Sequence, residues 1–148
     1  MRLNMRHALL VAGSSFVSVG VVMSAAPEAF GDELATRQVY LVRQDFSDCT
    51  DSNVPNVDTP AVGGTVWVVR QSDGKTAVKV ALTASPNTAY HFNLKCVALL
   101  GHIETNDEGV GTATFTFLTS SAGNVYAFDS YPEGAPAGNK FQSAQVKF

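Results

Sequence analysis

Residues 65–83 read TVWVVRQSDGKTAVKVALT and carry the clearest strand pattern of the sequence. The first half is rich in β-branched residues, and the second half alternates apolar residues with smaller or charged ones, as strands with one buried face do. Asp73-Gly74 lies between the halves, and Asp-Gly between two strand patterns is a strong signal for a hairpin turn. This stretch therefore predicts two antiparallel strands, 65–71 and 76–83, joined by a tight turn.

Short alternating segments continue on both sides of this hairpin. They predict further strands at 38–43, 89–97, 102–105, 111–118, 124–130 and 141–148. No 3.6-residue apolar stripe appears after residue 31, so we expect no helix there. We predict an all-β fold, namely an antiparallel β-sandwich of seven or eight strands in an immunoglobulin-like Greek-key order. A small β-barrel is the alternative.

Three segments resemble the strand–turn–strand layout of many bacterial immunoglobulin-like domains. They are 87–92, 105–109 and 111–115, which read NTAYHF, TNDEG and GTATF. The resemblance is generic, and it implies a fold without implying a partner.

Residues 1–31 have the pattern of a secretory signal peptide. Two arginines and a histidine precede an apolar stretch at 8–23, and small residues follow as far as Gly31. This order is typical of exported precursors, and the apolar stretch is shorter than the ~20 residues of a membrane span. We expect cleavage after Gly31, or alternatively after Ala26, and a single domain at 32–148. An uncleaved N-terminal anchor helix is the other interpretation.

Export places the chain in an oxidising compartment, as a secreted, periplasmic or cell-surface protein. Cys49 and Cys96 are its two cysteines, so we expect a disulfide between them. Alternation places Cys96 on the inward face of strand 89–97. Closing so long a loop should contribute roughly 4 kcal/mol in the chain-entropy description. The acidic segment 45–53 around Cys49 opposes thiolate formation, so a reactive thiol is not expected.

Composition excludes several classes of function. Hydrophobic residues make up 45% of the 148, which is too many for a disordered chain. Thirteen acidic residues outnumber ten basic ones, whereas a phosphate-binding surface needs clustered cations. We therefore expect no nucleic-acid partner, and no stable membrane span once the signal peptide is removed.

Catalytic, cofactor-binding and metal-binding residues are not apparent. No Gly-x-Ser-x-Gly occurs, and the spacing of His91 and His102 matches no common metal motif. The segment 45–53 lacks EF-hand spacing. We therefore expect a non-enzymatic protein. The alternatives are a secreted enzyme or metal-binding protein using His91, His102 and nearby carboxylates, and, less favoured because its strands would be short, an outer-membrane barrel.

Two features suit a binding surface. One is the aromatic and Pro/Gly-rich segment 126–139, and the other is a row of threonines at alternate positions of strand 111–118. The candidate surface residues are Asp129, Tyr131, Glu133, Thr112, Thr114 and Thr116. Trp67 is expected in the core, with an exposed aromatic anchor as the alternative. The sequence thus predicts an exported binding module for a protein, a glycan or a small ligand.

Overall fold

The structure is a computed structural model, and it describes residues 33–44, 49, 54, 62–135 and 140–148. The predicted signal peptide with both cleavage positions, and the acidic segment around Cys49, lie outside the described residues. Among the residues that the structure describes, no helix has the length and apolar character needed for a membrane crossing.

The described chain is all-β, as predicted. Its strands are β1 Glu33–Arg43, β2 Gly63–Gln71, β3 Lys75–Thr83, β4 Ala89–Leu94, β5 Ala98–Glu104, β6 Val110–Leu118, β7 Val125–Tyr126, β8 Phe128–Pro132, β9 Phe141–Ser143 and β10 Val146–Lys147. A single turn of 3₁₀ helix at Thr119–Ser121 is the helical element of the described residues.

Eight strands form one antiparallel sheet in the order β5-β4-β8-β9-β1-β2-β3-β6, and β7 pairs with β10. The two edge strands, β5 and β6, are consecutive along the chain and lie close together. The sheet is therefore nearly closed into a barrel. This arrangement fits the barrel alternative, and neither the sandwich nor the immunoglobulin-like Greek key is confirmed.

The predicted β2–β3 hairpin is present. Gly74 has a φ of 79°, a left-handed conformation that glycine adopts without steric cost. Asp73 Oδ1 accepts a hydrogen bond of 3.0 Å from the backbone N–H of Lys75. This hydrogen bond is the largest influence lowering the pKa of Asp73. The turn residues thus satisfy their own polar groups, and the register of the two strands follows from the turn.

The interior of the barrel is filled by alternate side chains of the strands. Phe92 of β4 lies between Phe115 of β6 and Phe128 of β8, with 5.2 Å between ring centres on each side and planes 14° and 16° apart. β8 pairs with β4, whereas β6 is the other edge strand and lies close to β5. The stack therefore crosses the gap between the two edges of the sheet.

The approach of β5 to β6 depends on glycine. A Cβ atom on Gly101 of β5 would lie 2.6 Å from Cε1 of Phe115, and one on Gly111 of β6 would lie 2.5 Å from the carbonyl oxygen of Glu104. Real Cβ atoms do not come so close to other heavy atoms. These two glycines therefore allow the edges of the sheet to meet.

The prediction that Trp67 belongs to the core is wrong. Val66 and Val68 are fully buried, so the alternation of β2 points the indole to the outer face, where it is partly exposed. There its Nε1 donates a hydrogen bond of 2.9 Å to Oε1 of Gln38. Gln38 in turn donates one of 2.8 Å to the hydroxyl of Tyr40. The stacked rings of Phe92, Phe115 and Phe128 occupy the interior instead.

Several predicted strand bounds are also wrong. The strand predicted at 38–43 begins at Glu33, and the strand predicted at 102–105 begins at Ala98 and ends at Glu104. The strand predicted at 89–97 ends at Leu94, and Cys96 lies in the following turn with a φ of 58° and an exposed side chain, not on an inward strand face. The segment 124–130 divides at Ala127. The segment 141–148 leaves the main sheet after Ser143, because its end pairs with β7 and packs Phe148 against the guanidinium of Arg70, 4.1 Å from the ring centre.

Replacing Gly101 with alanine should destabilise the barrel. The new methyl group must displace the Phe115 ring and disturb its stacking on Phe92, and overpacking of this kind costs about 1–3 kcal/mol. Urea unfolding measures the change in the free energy of unfolding. Leu99→Ala on the same strand is the matched control, because Leu99 is 51% exposed. Equal losses in the two variants would contradict the close approach of β5 and β6.

Candidate binding site on the outer face of the sheet

The predicted disulfide between Cys49 and Cys96 is present, with 5.4 Å between the Cα atoms and a sequence separation of 47. It attaches the chain between β1 and β2 to the β4–β5 turn. Cys96, its partner in this turn, lines both of the surface depressions described next.

Two shallow depressions meet beside this bond. Their volumes are about 200 and 230 Å³, and Cys96, Asp129 and Tyr131 line both of them. The first is completed by Gln44, Lys95, Lys140, Phe141 and Gln142, and the second by Asn93, Leu94, Val97, Ala98 and Leu99. Each is smaller than the roughly 300–1,000 Å³ of pockets that enclose drug-sized ligands. A group the size of one ring suits them better.

Strand register brings the polar side chains of this site together. In the antiparallel β4–β8 pair, Asn93 lies opposite Asp129 and His91 lies opposite Tyr131. Phe92 and Phe128 point into the core, so their neighbours along each strand point outward. Asn93 Nδ2 donates a hydrogen bond of 2.8 Å to Asp129 Oδ1. The pair is held in one orientation by the strand ladder.

Asp129 is a partly desolvated carboxylate. Burial raises its pKa above the ordinary value, and this effect outweighs the Asn93 hydrogen bond and the charges of Lys95 and Lys140, all of which lower the pKa. Among the described residues, its second carboxylate oxygen accepts no hydrogen bond. The site thus offers one acceptor whose water contacts a ligand hydroxyl can replace.

Tyr131 supplies an aromatic surface next to this acceptor. Its ring centre lies 5.8 Å from that of His91, and Lys140 Nζ lies 5.6 Å from it. The His91 ring also contacts His102, its partner on β5, with 4.7 Å between ring centres. A polar and aromatic row of His102, His91 and Tyr131 therefore crosses three strands beside the Asn93–Asp129 pair.

The structure brings some of the predicted surface residues together and leaves others apart. Asp129 and Tyr131 share the site. Glu133 lies in the exposed turn after β8 and lines neither depression. The threonine row is exposed on the outer face of β6, the other edge of the sheet, where Thr114 lies opposite Lys79. It forms a separate surface.

Sequence reasoning missed Asn93, Lys95 and Lys140 as members of the site. The alternation of β4 indicated that Asn93 faces outward, which is correct, but alternation does not identify its partner on β8. The alternation of the predicted strand 89–97 points Lys95 outward with Asn93, but β4 ends at Leu94 and Lys95 is buried in the turn that follows. Lys140 precedes β9, where strand alternation gives no direction.

No known protein family and no curated protein matches this chain. Within the described residues, no three or more His, Cys, Asp or Glu side chains are grouped as a metal site of that size would require.

Asp129→Asn should stabilise the domain at pH 7. A raised folded-state pKa means that the protonated carboxyl stabilises the fold, and that this stabilisation is lost as pH rises from the ordinary value of 3.8 through the folded value. The amide cannot ionise, yet its oxygen can still accept the Asn93 hydrogen bond. The gain over the parent protein should therefore vanish below pH 3.8.

Thermal unfolding of both proteins at about pH 7 and about pH 3 measures this difference. Asp73→Asn is the control of opposite sign, because the pKa of Asp73 is lowered. If the Asp129→Asn protein were less stable than the parent protein at pH 7, this would contradict the conclusion that burial raises the pKa of the Asp129 carboxyl.

Replacing both cysteines with serine should lower the free energy of unfolding by up to about 4 kcal/mol, because the unfolded chain gains freedom. Urea unfolding measures the loss, and the parent protein under reducing conditions should show the same loss. A double variant as stable as the oxidised parent would contradict the bond.

Proposed function

We propose that this chain is an exported, non-enzymatic binding domain, and that its outer-face site takes a glycan. The observation that carries the proposal is the Asn93–Asp129 pair beside Tyr131, where two ring-sized depressions meet. Export, to the periplasm, the cell surface or the medium, is supported by the N-terminal sequence pattern and by the disulfide, since structural disulfides persist in oxidising compartments.

The polar half of the site suits neighbouring sugar hydroxyls. A carboxylate and an amide held in one orientation offer acceptors at fixed positions, so hydroxyls bind without the cost of ordering the protein side chains. A hydrogen bond to a charged group contributes about 1.5–3 kcal/mol. The second oxygen of Asp129 is the acceptor of this kind, because Asn93 already occupies the first.

The aromatic half suits the apolar face of a sugar ring. Tyrosine has a rigid ring with a polar tip, which lets it pack against C–H groups while the ligand's hydroxyls remain hydrated or paired. The Tyr131 ring is partly exposed and borders both depressions.

The size of the site favours recognition of a single residue of a longer chain. The depressions are open on the outer face and do not enclose a ligand, so the rest of a polymer can extend across the sheet. A binding role needs no reacting group, which agrees with the sequence expectation that no catalytic residues are present.

Asp129→Asn and Tyr131→Ala should each weaken glycan binding, the first by roughly 10- to 100-fold, because a charge-assisted hydrogen bond is lost. A printed glycan array identifies a ligand, and titration calorimetry with that ligand gives the Kd of each variant. Glu133→Gln and Thr114→Ala are the matched controls and should leave the Kd unchanged, since both residues lie outside the depressions. Failure of the parent protein to bind any neutral or acidic glycan would overturn the proposal, as would equal losses in the controls.

A further inference from the structure

The two histidines of the described chain are direct cross-strand partners. His91 of β4 lies opposite His102 of β5 in the antiparallel register, and their ring centres are 4.7 Å apart. Side chains directly opposite each other in such a pair have Cβ atoms about 4.5–5.5 Å apart. The spacing of the two histidines along the sequence does not indicate this contact, because it results from the register of β4 and β5.

We propose that His91 and His102 together bind one divalent transition-metal ion of the copper or zinc class on the outer face of β4 and β5. Imidazole nitrogens suit these ions, whereas magnesium and calcium prefer oxygen ligands. Among the divalent ions, copper binds nitrogen sites most tightly. The site therefore selects copper first.

The two rings are placed for chelation. Their planes are 80° apart, so they meet edge to face and do not lie stacked against each other. Small rotations about the side-chain bonds then turn one nitrogen of each ring toward a common point between the strands. Because the strand ladder fixes both backbones, binding through the second imidazole costs little additional entropy.

The surroundings leave room for a hydrated ion. His91 is half-buried and His102 is exposed, so the ion reaches both rings from solvent. Glu104 lies on the same face of β5 as His102, two positions along the strand, so its carboxylate adds negative charge beside the pair. Lys140 is also in this region, with its Nζ 5.6 Å from the ring centre of Tyr131, which in turn lies 5.8 Å from that of His91.

The ion would keep open coordination positions. The proposed protein ligands are the two imidazoles, and water occupies the remaining positions of the coordination sphere. A site of this kind binds metal reversibly, and metal bound there staples β4 to β5.

Titration calorimetry of the full chain with copper(II) tests the proposal. We expect one saturable site per chain. His91→Asn or His102→Asn alone should weaken binding by about 100-fold, because a second tethered contact raises affinity by 10² or more. The double variant should bind no tighter than either single variant. Asp73→Asn is the control and should leave the copper Kd unchanged, because Asp73 lies in the turn between β2 and β3, neither of which neighbours β4 or β5 in the order of the sheet.

Electron paramagnetic resonance of the copper-loaded parent protein supplies a second measurement that does not depend on any variant. We expect nitrogen hyperfine couplings from two imidazoles, and loss of these couplings in His91→Asn/His102→Asn. Couplings from fewer than two imidazoles, or equal copper affinity of the parent protein and the double variant, would overturn the proposal. Circular dichroism confirms that each variant retains its β structure.

This site stands apart from the proposed glycan function. Asp129→Asn should weaken glycan binding by roughly 10- to 100-fold and leave the copper Kd unchanged. His102→Asn should weaken copper binding by about 100-fold and leave the glycan Kd unchanged. Failure of one proposal is therefore distinguishable from failure of the other.

Discussion

The stacking of Phe92 between Phe115 and Phe128 is the interaction on which the barrel depends. It fills the centre of the interior and joins three strands, of which β6 lies at the far edge of the sheet from β4. Without a large side chain at this point, the interior between the two edges of the sheet would contain a cavity. Gly101 and Gly111 make the complementary contribution, because they remove the side chains that would keep β5 and β6 apart.

The same packing determines what the outer face presents. Because side chains alternate along a strand, burying Phe92 turns His91 and Asn93 outward, and burying Phe128 turns Asp129 outward. The register between β4 and its two neighbours then pairs Asn93 with Asp129 and His91 with both Tyr131 and His102. The candidate sites are therefore consequences of closure, and a slip of one residue would send these groups inside.

The sequence predicted well those features that depend on residues close together in the chain. The Asp73-Gly74 turn, the alternation of β3 and β6 and the pairing of Cys49 with Cys96 all depend on neighbouring residues or on simple counting. The choice between a sandwich and a barrel does not depend on neighbouring residues. Both bury one face of each strand, so both have the same alternation, and the decision lies in the contact of Gly101 with Phe115 across the gap between edges. The size of Trp67 suggests a core residue, but its place between Val66 and Val68, which both point inward, turns it to the outer face.

The candidate site was predicted in part. Asp129 and Tyr131 were identified from an aromatic segment beside a flexible loop, but Asn93 and the histidine contact were not, because they arise from strand pairing. An irregularity between Phe92 and Asn93 shifts the β4–β5 register. No residue pattern in the sequence indicates this shift. Cys96 continues the alternation of β4 in sequence, yet its positive φ places it in a turn.

Nuclear Overhauser effects among the aromatic rings test the closed sheet most directly. We expect cross-peaks from the Phe92 ring to the rings of both Phe115 and Phe128, and from the Hα protons of Gly101 to the Phe115 ring. Cross-peaks from Phe92 to Phe128 alone, with none between Gly101 and Phe115, would describe an open sheet and contradict the account.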